Sequence, residues 1–454
     1  MLNPEVCQKA RLSRDTRFDG KFFTAVKTTG IYCRSICPAT TPKEENVTYF
    51  PSAIDAANAG YRPCLRCRPD SAPGSPAWKG INTTLERAIR LIGEGALQAG
   101  SLQTLVERLG ISDRYLRQLF DKHLGVSPKT FALYQQCLFA KQLLHQTKLP
   151  ITQIALASGF NSVRRFNDCF KTQIGLAPSQ VRKSGQTTSN ALQLKLYYRP
   201  PYDWFNMQRF LMARFIPNLE WVDTQSYGRT FEWSGSVGYF TAQHVAGKNR
   251  FDVTVELDNI TYLKPIVNNI RRILDLDADI EAIEHDLKQQ YGSAIALKTG
   301  LRLPGTWDMF EAGIRAILGQ QISVTAAQNL VSYLVNTLGN PVKNKRLFPS
   351  PQSIAHSDID FLKIPASRKQ TLRNLAQHYV DYEYPNDPNK WLLLKGIGPW
   401  TVDYAQLRGL SDPDIYLGGD LGIKKATEKS GFDLNPDLAS PWRSYLTFQL
   451  WSQL

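Results

Sequence analysis

Four cysteines fall in two close pairs, Cys33-Arg-Ser-Ile-Cys37 and Cys64-Leu-Arg-Cys67. Two such pairs, separated by a strand-like stretch, are what a tetrahedral zinc ion needs from a folded chain. Four thiolates around Zn2+ leave a charge of about −2. Neighbouring cations are therefore expected, and Arg34, Arg62, Arg66 and Arg68 stand in place. A purely structural zinc knuckle has the same spacing. Cys7, Cys137 and Cys169 match no partner and read as ordinary cysteines. A second feature lies far downstream. Leu394-Lys-Gly-Ile-Gly-Pro399 is a tight turn between two helical stretches. The glycines at 396 and 398 leave backbone N–H groups open, and such groups at a helix N-terminus hold phosphate. An ordinary helix–helix turn would read alike.

These residues need elements to hold them. Residues 1–75 mix β-type stretches, FFTAV and VTYF, with turns and the cysteine pairs. SAPGSPAWKG at 71–80 is a linker, and KSGQTTSN at 183–190 is another. Between them, 81–183 is helical by pattern and holds two helix–turn–helix units, 101–125 and 151–175. Ser112 and Ser162 can cap the second helix of each unit. Arg114 and Arg117 then sit early in one second helix, and Arg164 and Arg165 early in the other, where a recognition helix meets base edges. A solvated face would carry the same arginines. Residues 191–300 read as an α/β domain, with strands in LQLKLYY, GSVGYFTAQHV and RFDVTVEL; 301–454 reads as all-α. The fold class expected is multidomain α+β.

Charge narrows the partner. Residues 1–80 carry 12 Lys/Arg against 7 Asp/Glu, 81–185 carry 14 against 6, and the rest carry 28 against 27. The basic excess is concentrated in the helix–turn–helix half, which fits a polyanion. No apolar run approaches the length that spans a bilayer, and no apolar stretch marks a secretory start. A cytoplasmic chain with reduced thiols, most simply a monomer and not membrane-bound, is the expectation.

The run Phe22-Phe-Thr-Ala-Val-Lys-Thr-Thr-Gly-Ile-Tyr-Cys-Arg34, with Glu45-Asn-Val47 and Ala59-Gly-Tyr-Arg-Pro-Cys64, resembles the N-terminal domain of Ada-type adaptive-response proteins. That resemblance implies that Cys33 is both zinc ligand and sacrificial acceptor of a methyl group from a DNA methylphosphotriester. Residues 81–183, with Gly175-Leu-Ala-Pro-Ser179, resemble the AraC-type DNA-binding domain. A promoter and RNA polymerase are partners implied by it.

The C-terminal half resembles the helix–hairpin–helix superfamily of DNA glycosylases, in its 3-methyladenine DNA glycosylase II branch. The matching stretches are Pro200-Pro-Tyr-Asp-Trp204, Leu301-Arg-Leu-Pro-Gly305, Ala316-Ile-Leu-Gly-Gln-Gln-Ile-Ser323, Asp414-Ile-Tyr-Leu-Gly-Gly-Asp420 and Pro441-Trp-Arg-Ser-Tyr445. The resemblance implies that a damaged nucleotide is flipped into a pocket of Trp400, Tyr404, Trp451, Phe210 and Gln320. It implies that Asp420 stabilises the oxocarbenium ion or orients water. Trp400 stands where strand-nicking relatives carry a lysine, so simple hydrolysis is implied. The family's wedge into the DNA gap falls at Gln321 or Ile322. Gly396 and Gly398 would grip the backbone. Two other readings stay open: a regulator with an inactive glycosylase half, and a glycosylase with a merely structural zinc domain.

Overall fold

The computed structural model describes residues 3–14, 18–19, 21–37, 39–51, 53–64, 67, 69, 83–182, 192–292, 295–382, 385–430 and 434–453. The two expected linkers and the cations Arg66 and Arg68 lie outside them. Two compact units emerge: Met1–Asn190 with Asn259–Asn268, and Ala191–Asp258 with Asn269–Leu454.

In the first unit, four short strands form a sheet in the order Val47–Phe50, Phe23–Val26, Ile31–Arg34, Arg62–Pro63. Strand alternation decides what each face does. Along Ile31–Arg34, Tyr32 and Arg34 are buried while Ile31 and Cys33 are half-buried. Tyr32 joins Phe23, Ala25 and Ala56 in a small core. Cys33 is thereby left on the side where the other thiols gather.

The helical part follows the expected pattern. Ser112 accepts from Tyr115 N–H at 3.2 Å and starts Asp113–Leu124; Ser162 accepts from Arg165 N–H at 3.2 Å and starts Val163–Ile174. Leu116, Leu119, Phe120 and Leu124 on one helix, and Phe166, Phe170 and Ile174 on the other, turn inward at helical spacing. The 19-residue helix Pro128–Gln146 joins the two helix–turn–helix motifs. Two of its side chains reach the cysteine-bearing sheet. The Tyr134 hydroxyl meets the Tyr32 hydroxyl, and the Lys141 ammonium donates to the Pro63 carbonyl. Tyr134 and Lys141 are two helical turns apart, so one face carries both contacts.

The second unit holds a five-stranded antiparallel sheet ordered Leu192–Tyr197, Arg250–Leu257, Ser236–Val245, Ser226–Trp233, Glu220–Val222. Helices follow, with one two-residue-per-strand hairpin at Pro341–Val342 and Lys345–Arg346 inside the otherwise helical stretch. Helices Met309–Gly319, Val324–Leu338 and Ala366–Asp381 pack around the fully buried Trp391. Among the described residues no helix is long and apolar enough to cross a membrane.

Four charges tie this sheet to the first of these helices. Arg229 donates through Nη1 and Nη2 to both oxygens of Glu311, at 3.1 and 2.7 Å. Arg315 bridges Glu311 at 3.0 Å and Glu220 at 2.8 Å. Burial by itself would raise the Glu311 carboxyl, but Arg229 and Arg315 pull it down to about 2. Glu311→Ala leaves Arg229 in the interior without its main counter-charge. The substitution is expected to lower the stability of this unit by about 3–5 kcal/mol, read as a drop in the unfolding midpoint followed by tryptophan fluorescence. A loss below about 1 kcal/mol would mean that water screens the pair.

Candidate functional site

The sheet and the loop after Pro63 bring Cys33, Cys37, Cys64 and Cys67 together, with all four sulfurs within 4.8 Å of one another. No disulfide joins them. The Cys37 and Cys64 sulfurs are 3.8 Å apart. A tetrahedron with Zn–S bonds of about 2.3 Å has edges of about 3.8 Å, so the donor set fits zinc. Shared protons serve the cluster poorly. Contact with Cys37 and Cys64 drives the Cys33 thiol up, and contact with Cys33 drives Cys64 down. One divalent cation replaces that uneven sharing, and zinc is the cofactor held here.

The cations differ from the expected arrangement. Arg34 is locked to Asp19, with Nε 2.8 Å from Oδ1, while its Nη1 donates to the Cys67 carbonyl at 3.1 Å. What it offers the cluster is its backbone N–H, 3.3 Å from the Cys67 sulfur. Arg62 donates to the Thr29 carbonyl at 3.2 Å. Cys67 is buried; Cys33, Cys37 and Cys64 are half-buried. Access therefore removes Cys67 as a nucleophile, without choosing among the other three.

On the helix–turn–helix part, Arg114, Arg164 and Arg165 are exposed on the first turns of their helices. Arg117 is exposed too, but it is paired along its own helix with Asp113 at 2.7 and 3.1 Å. Such a pair contributes little to stability and is readily exchanged for a phosphate.

In the second unit the hairpin lies between Pro388–Trp391 and Pro399–Ala405. Gly396 has φ +92°, and a Cβ there would stand 2.0 Å from Thr371 Oγ1, so packing itself demands glycine. Gly398 has an ordinary φ of −106°, and nothing lies within 4 Å of where its Cβ would be. Its bare backbone opens to solvent at a helix N-terminus without a side-chain cap. That is room for an anion.

Asp420 follows the glycine loop and caps Leu421–Ser430. Its Oδ1 accepts from Gly422 N–H at 2.8 Å, Ile423 N–H at 3.2 Å and Trp451 Nε1 at 3.0 Å. Among the described residues Oδ2 carries no hydrogen bond. One oxygen is thus fixed by three donors while the other stays available. Around it Phe210 stacks with Trp451 at 6.3 Å, and Trp400 with Tyr404 at 5.4 Å. All four rings pack on one core cluster. Trp400 Nε1 is buried and has no hydrogen-bond partner among the described residues. Gln320 donates through Nε2 to Thr401 Oγ1 at 3.1 Å, and Arg368 holds its carbonyl at 2.9 Å. The next residue, Gln321, is exposed with φ +58°. A left-handed backbone costs a non-glycine residue about 1 kcal/mol, and such strain collects at functional sites. Ile322 beside it is 37% exposed.

Two residues of this pocket do not come out of the sequence reading. Arg214 lies with its guanidinium carbon 3.9 Å from the Phe210 ring centre. Arg408 lies 4.7 Å from the same centre and donates to the Tyr404 hydroxyl at 3.0 Å. Each arginine follows its aromatic partner by four residues, a spacing that brings side chains together on a helix.

Three family models match successive stretches of the chain. Residues 6–70 match the family model described as the metal binding domain of Ada, 105–184 a helix-turn-helix domain, and 193–308 the AlkA N-terminal domain. The chain is 31% identical to the bifunctional transcriptional activator/DNA repair enzyme Ada of Escherichia coli K12, covering 38% of this chain and 48% of that protein. It is 29% identical to DNA-3-methyladenine glycosylase 2 of the same organism, covering 56% and 95%. It is 34% identical to the probable bifunctional transcriptional activator/DNA repair enzyme AlkA of Mycobacterium tuberculosis, over 99% of this chain and 96% of that protein. With a zinc-fitting cysteine cluster, capped helix–turn–helix units and a hairpin-bearing aromatic pocket in one polypeptide, the chain belongs to the family of bifunctional transcriptional activator/DNA repair enzymes of the AlkA kind.

Proposed function

We infer that this chain is a DNA alkylation repair protein with two chemistries. It hydrolyses the N-glycosidic bond of alkylated bases such as 3-methyladenine. It also takes methyl groups from DNA methylphosphotriesters onto a zinc-bound cysteine, and it regulates transcription. The observation that carries the reading is Asp420, held on one oxygen by Trp451 and its own helix, beside stacked aromatic rings and the bare backbone at Gly398. Double-stranded DNA is the partner. We place the protein in the cytoplasm as a monomer, touching RNA polymerase when bound at a promoter; seven free thiols support the reducing compartment.

At the first centre the Cys33 sulfur attacks the methyl carbon of the triester. The new S–C bond forms as the C–O bond breaks, and the electron pair stays on the phosphate oxygen, which becomes an ordinary diester anion. Zinc supplies the thiolate character that this attack needs. The cluster becomes less negative by one charge, and DNA is repelled less by it. Arg114, Arg117, Arg164 and Arg165 are the side chains offered to the duplex.

At the second centre Gly396 and Gly398 seat the backbone, and Gln321 or Ile322 fills the gap. Phe210, Trp400, Tyr404 and Trp451 stack on the flipped base, and Gln320 fixes the wall beside Thr401. The free oxygen of Asp420 faces positive charge as it grows on the sugar. Trp400 stands at the position where strand-nicking relatives carry the lysine that attacks C1′, so water completes the reaction.

Asp420→Asn keeps an oxygen that can cap the helix but removes the charge. Release of 3-methyladenine should fall by about 100- to 1,000-fold while binding to undamaged duplex persists. Asp420→Ala should also lower the melting temperature, through loss of a cap worth about 1 kcal/mol. Full activity in Asp420→Asn would remove this aspartate from the chemistry. At the other centre, mass spectrometry after incubation with methylphosphotriester DNA should place one added methyl on Cys33. Cys33→Ser should take none, and a methyl on Cys37 or Cys64 would reassign the acceptor.

A further inference from the structure

The zinc-fitting thiols are held from outside their own sheet. Two of them, Cys33 and Cys64, follow residues that face each other: Tyr32 lies opposite Pro63 where the strands Ile31–Arg34 and Arg62–Pro63 run parallel. The Cys64 N–H donates to the Tyr32 carbonyl at 2.9 Å, so the backbones of the two ligands are joined directly. Both members of the facing pair are gripped by the helix Pro128–Gln146. Its Tyr134 hydroxyl meets the Tyr32 hydroxyl, and its Lys141 ammonium donates to the Pro63 carbonyl. Tyr32 is 0% exposed, and Tyr134 and Lys141 are each 5% exposed. Away from water such bonds strengthen, and a charged donor makes the stronger kind.

The sheet needs that grip. Its core on the Tyr32 side is Phe23, Ala25, Tyr32 and Ala56, two of them alanines. Arg62–Pro63 is a two-residue strand at the sheet edge, paired on one side. Lys141 holds this strand at its last residue, immediately before Cys64, and the helix Val163–Ile174 packs on it as well. The other end of the brace is firm: Gln136 of Pro128–Gln146 donates to the Gly159 carbonyl, in the turn of the second helix–turn–helix motif, at 3.1 Å. Charge points the same way. Zinc with four thiolates keeps about −2, while Arg34 and Arg62 turn their guanidinium donors to Asp19 and to the Cys67 and Thr29 carbonyls. Lys141 brings a buried positive charge to the residue next to Cys64.

We propose that Tyr134 and Lys141 are positioning residues of the zinc-thiolate centre: through Tyr32 and Pro63 they set Cys33 and Cys64 for holding the metal and for taking the methyl group. The methyl-transfer half of the proposal rests on the acceptor reading given above; the metal half does not. Groups that orient metal ligands from behind tune both affinity and reactivity. Lys141 acts through a peptide. An ammonium on the Pro63 carbonyl polarises the Pro63–Cys64 amide and strengthens the bond that the Cys64 N–H gives to Tyr32. Tyr134 acts at the other end of Tyr32, on its hydroxyl. The carbonyl and the side chain of the residue before Cys33 are then both fixed, and the strand presents the sulfur at one setting. Two side chains of the DNA-binding helices thus complete a metal site whose ligands all lie in the preceding domain.

The test uses the full zinc-loaded chain and follows zinc release to an excess of a colorimetric chelator. Lys141→Met should speed release by about tenfold or more, and Tyr134→Phe should speed it to a lesser degree. Both should shift the visible absorption of the cobalt-substituted chain, which reports the geometry of the four sulfurs. Single-turnover methyl transfer to Cys33 should slow in the same order. Lys141→Arg keeps a cationic donor and should return zinc release most of the way to that of the unaltered chain. Gln136→Ala loosens the same helix on its other side and should leave zinc release and the cobalt spectrum unchanged. Unaltered release and spectrum in Lys141→Met and Tyr134→Phe would overturn the proposal. So would equal acceleration in Gln136→Ala, which would make the effect one of general helix stability. If Lys141→Met does not fold, Tyr134→Phe decides, since it removes a single oxygen. Failure of the unaltered chain to accept methyl on Cys33 would sink the acceptor reading and leave the metal measurements to judge Tyr134 and Lys141.

Discussion

Glu220, Arg229, Glu311 and Arg315 place two positive and two negative charges in the interior of the second unit, each largely removed from water. Charges so placed are costly unless they are paired and hydrogen-bonded. Glu220 and Arg229 come from the sheet, and Glu311 and Arg315 from the helix that ends at Gly319. The pairing fixes that helix against the sheet. It thereby fixes Gln320 and Gln321 beyond its end, and through the Arg214 carbonyl it fixes one wall of the aromatic pocket. An apolar contact would give similar stability with less directional control.

The first unit solves a similar problem with sulfur. Four thiols crowd together without a disulfide, and a metal makes their shared negative charge tolerable. Around them polar bonds tie the small domain down. Asp19 engages Arg34, and the helix Pro128–Gln146 engages Tyr32 and the Pro63 carbonyl, immediate neighbours of Cys33 and Cys64. The cysteine sheet and the helix between the two helix–turn–helix units are therefore one mechanical piece at these points.

Local patterns were readable from the amino acids. Ser112 and Ser162 announce their helices because capping acts over three residues, and the cysteine pairs announce a metal because ligand spacing is short-range. Asp420 is found through its glycine loop. Long-range pairings leave no such trace. Arg229 and Glu311 are 82 positions apart, Tyr32 and Tyr134 are 102 apart, and Trp451 finds Asp420 across 31. Arg34 was expected among the cations near the thiols; it lies against the Cys67 backbone, with its charge paired to Asp19. Arg214 and Arg408 carry a faint signal in their four-residue spacing from Phe210 and Tyr404. Nothing local says that two cations share one ring.

The strand that presents Cys33 has a consequence in time. A thioether formed there has no ready leaving group, so nothing in the chain returns the sulfur to its starting state. Asp420, in the role proposed for it, is unchanged by each reaction. With the roles proposed for Cys33 and Asp420, one polypeptide carries both a mark written once and a tool used repeatedly. The mark persists for the life of the molecule and is cleared only by its degradation or by dilution as the cell grows. The duration of the regulatory signal is then set by protein turnover, while the speed of base removal is set by chemistry in a separate pocket.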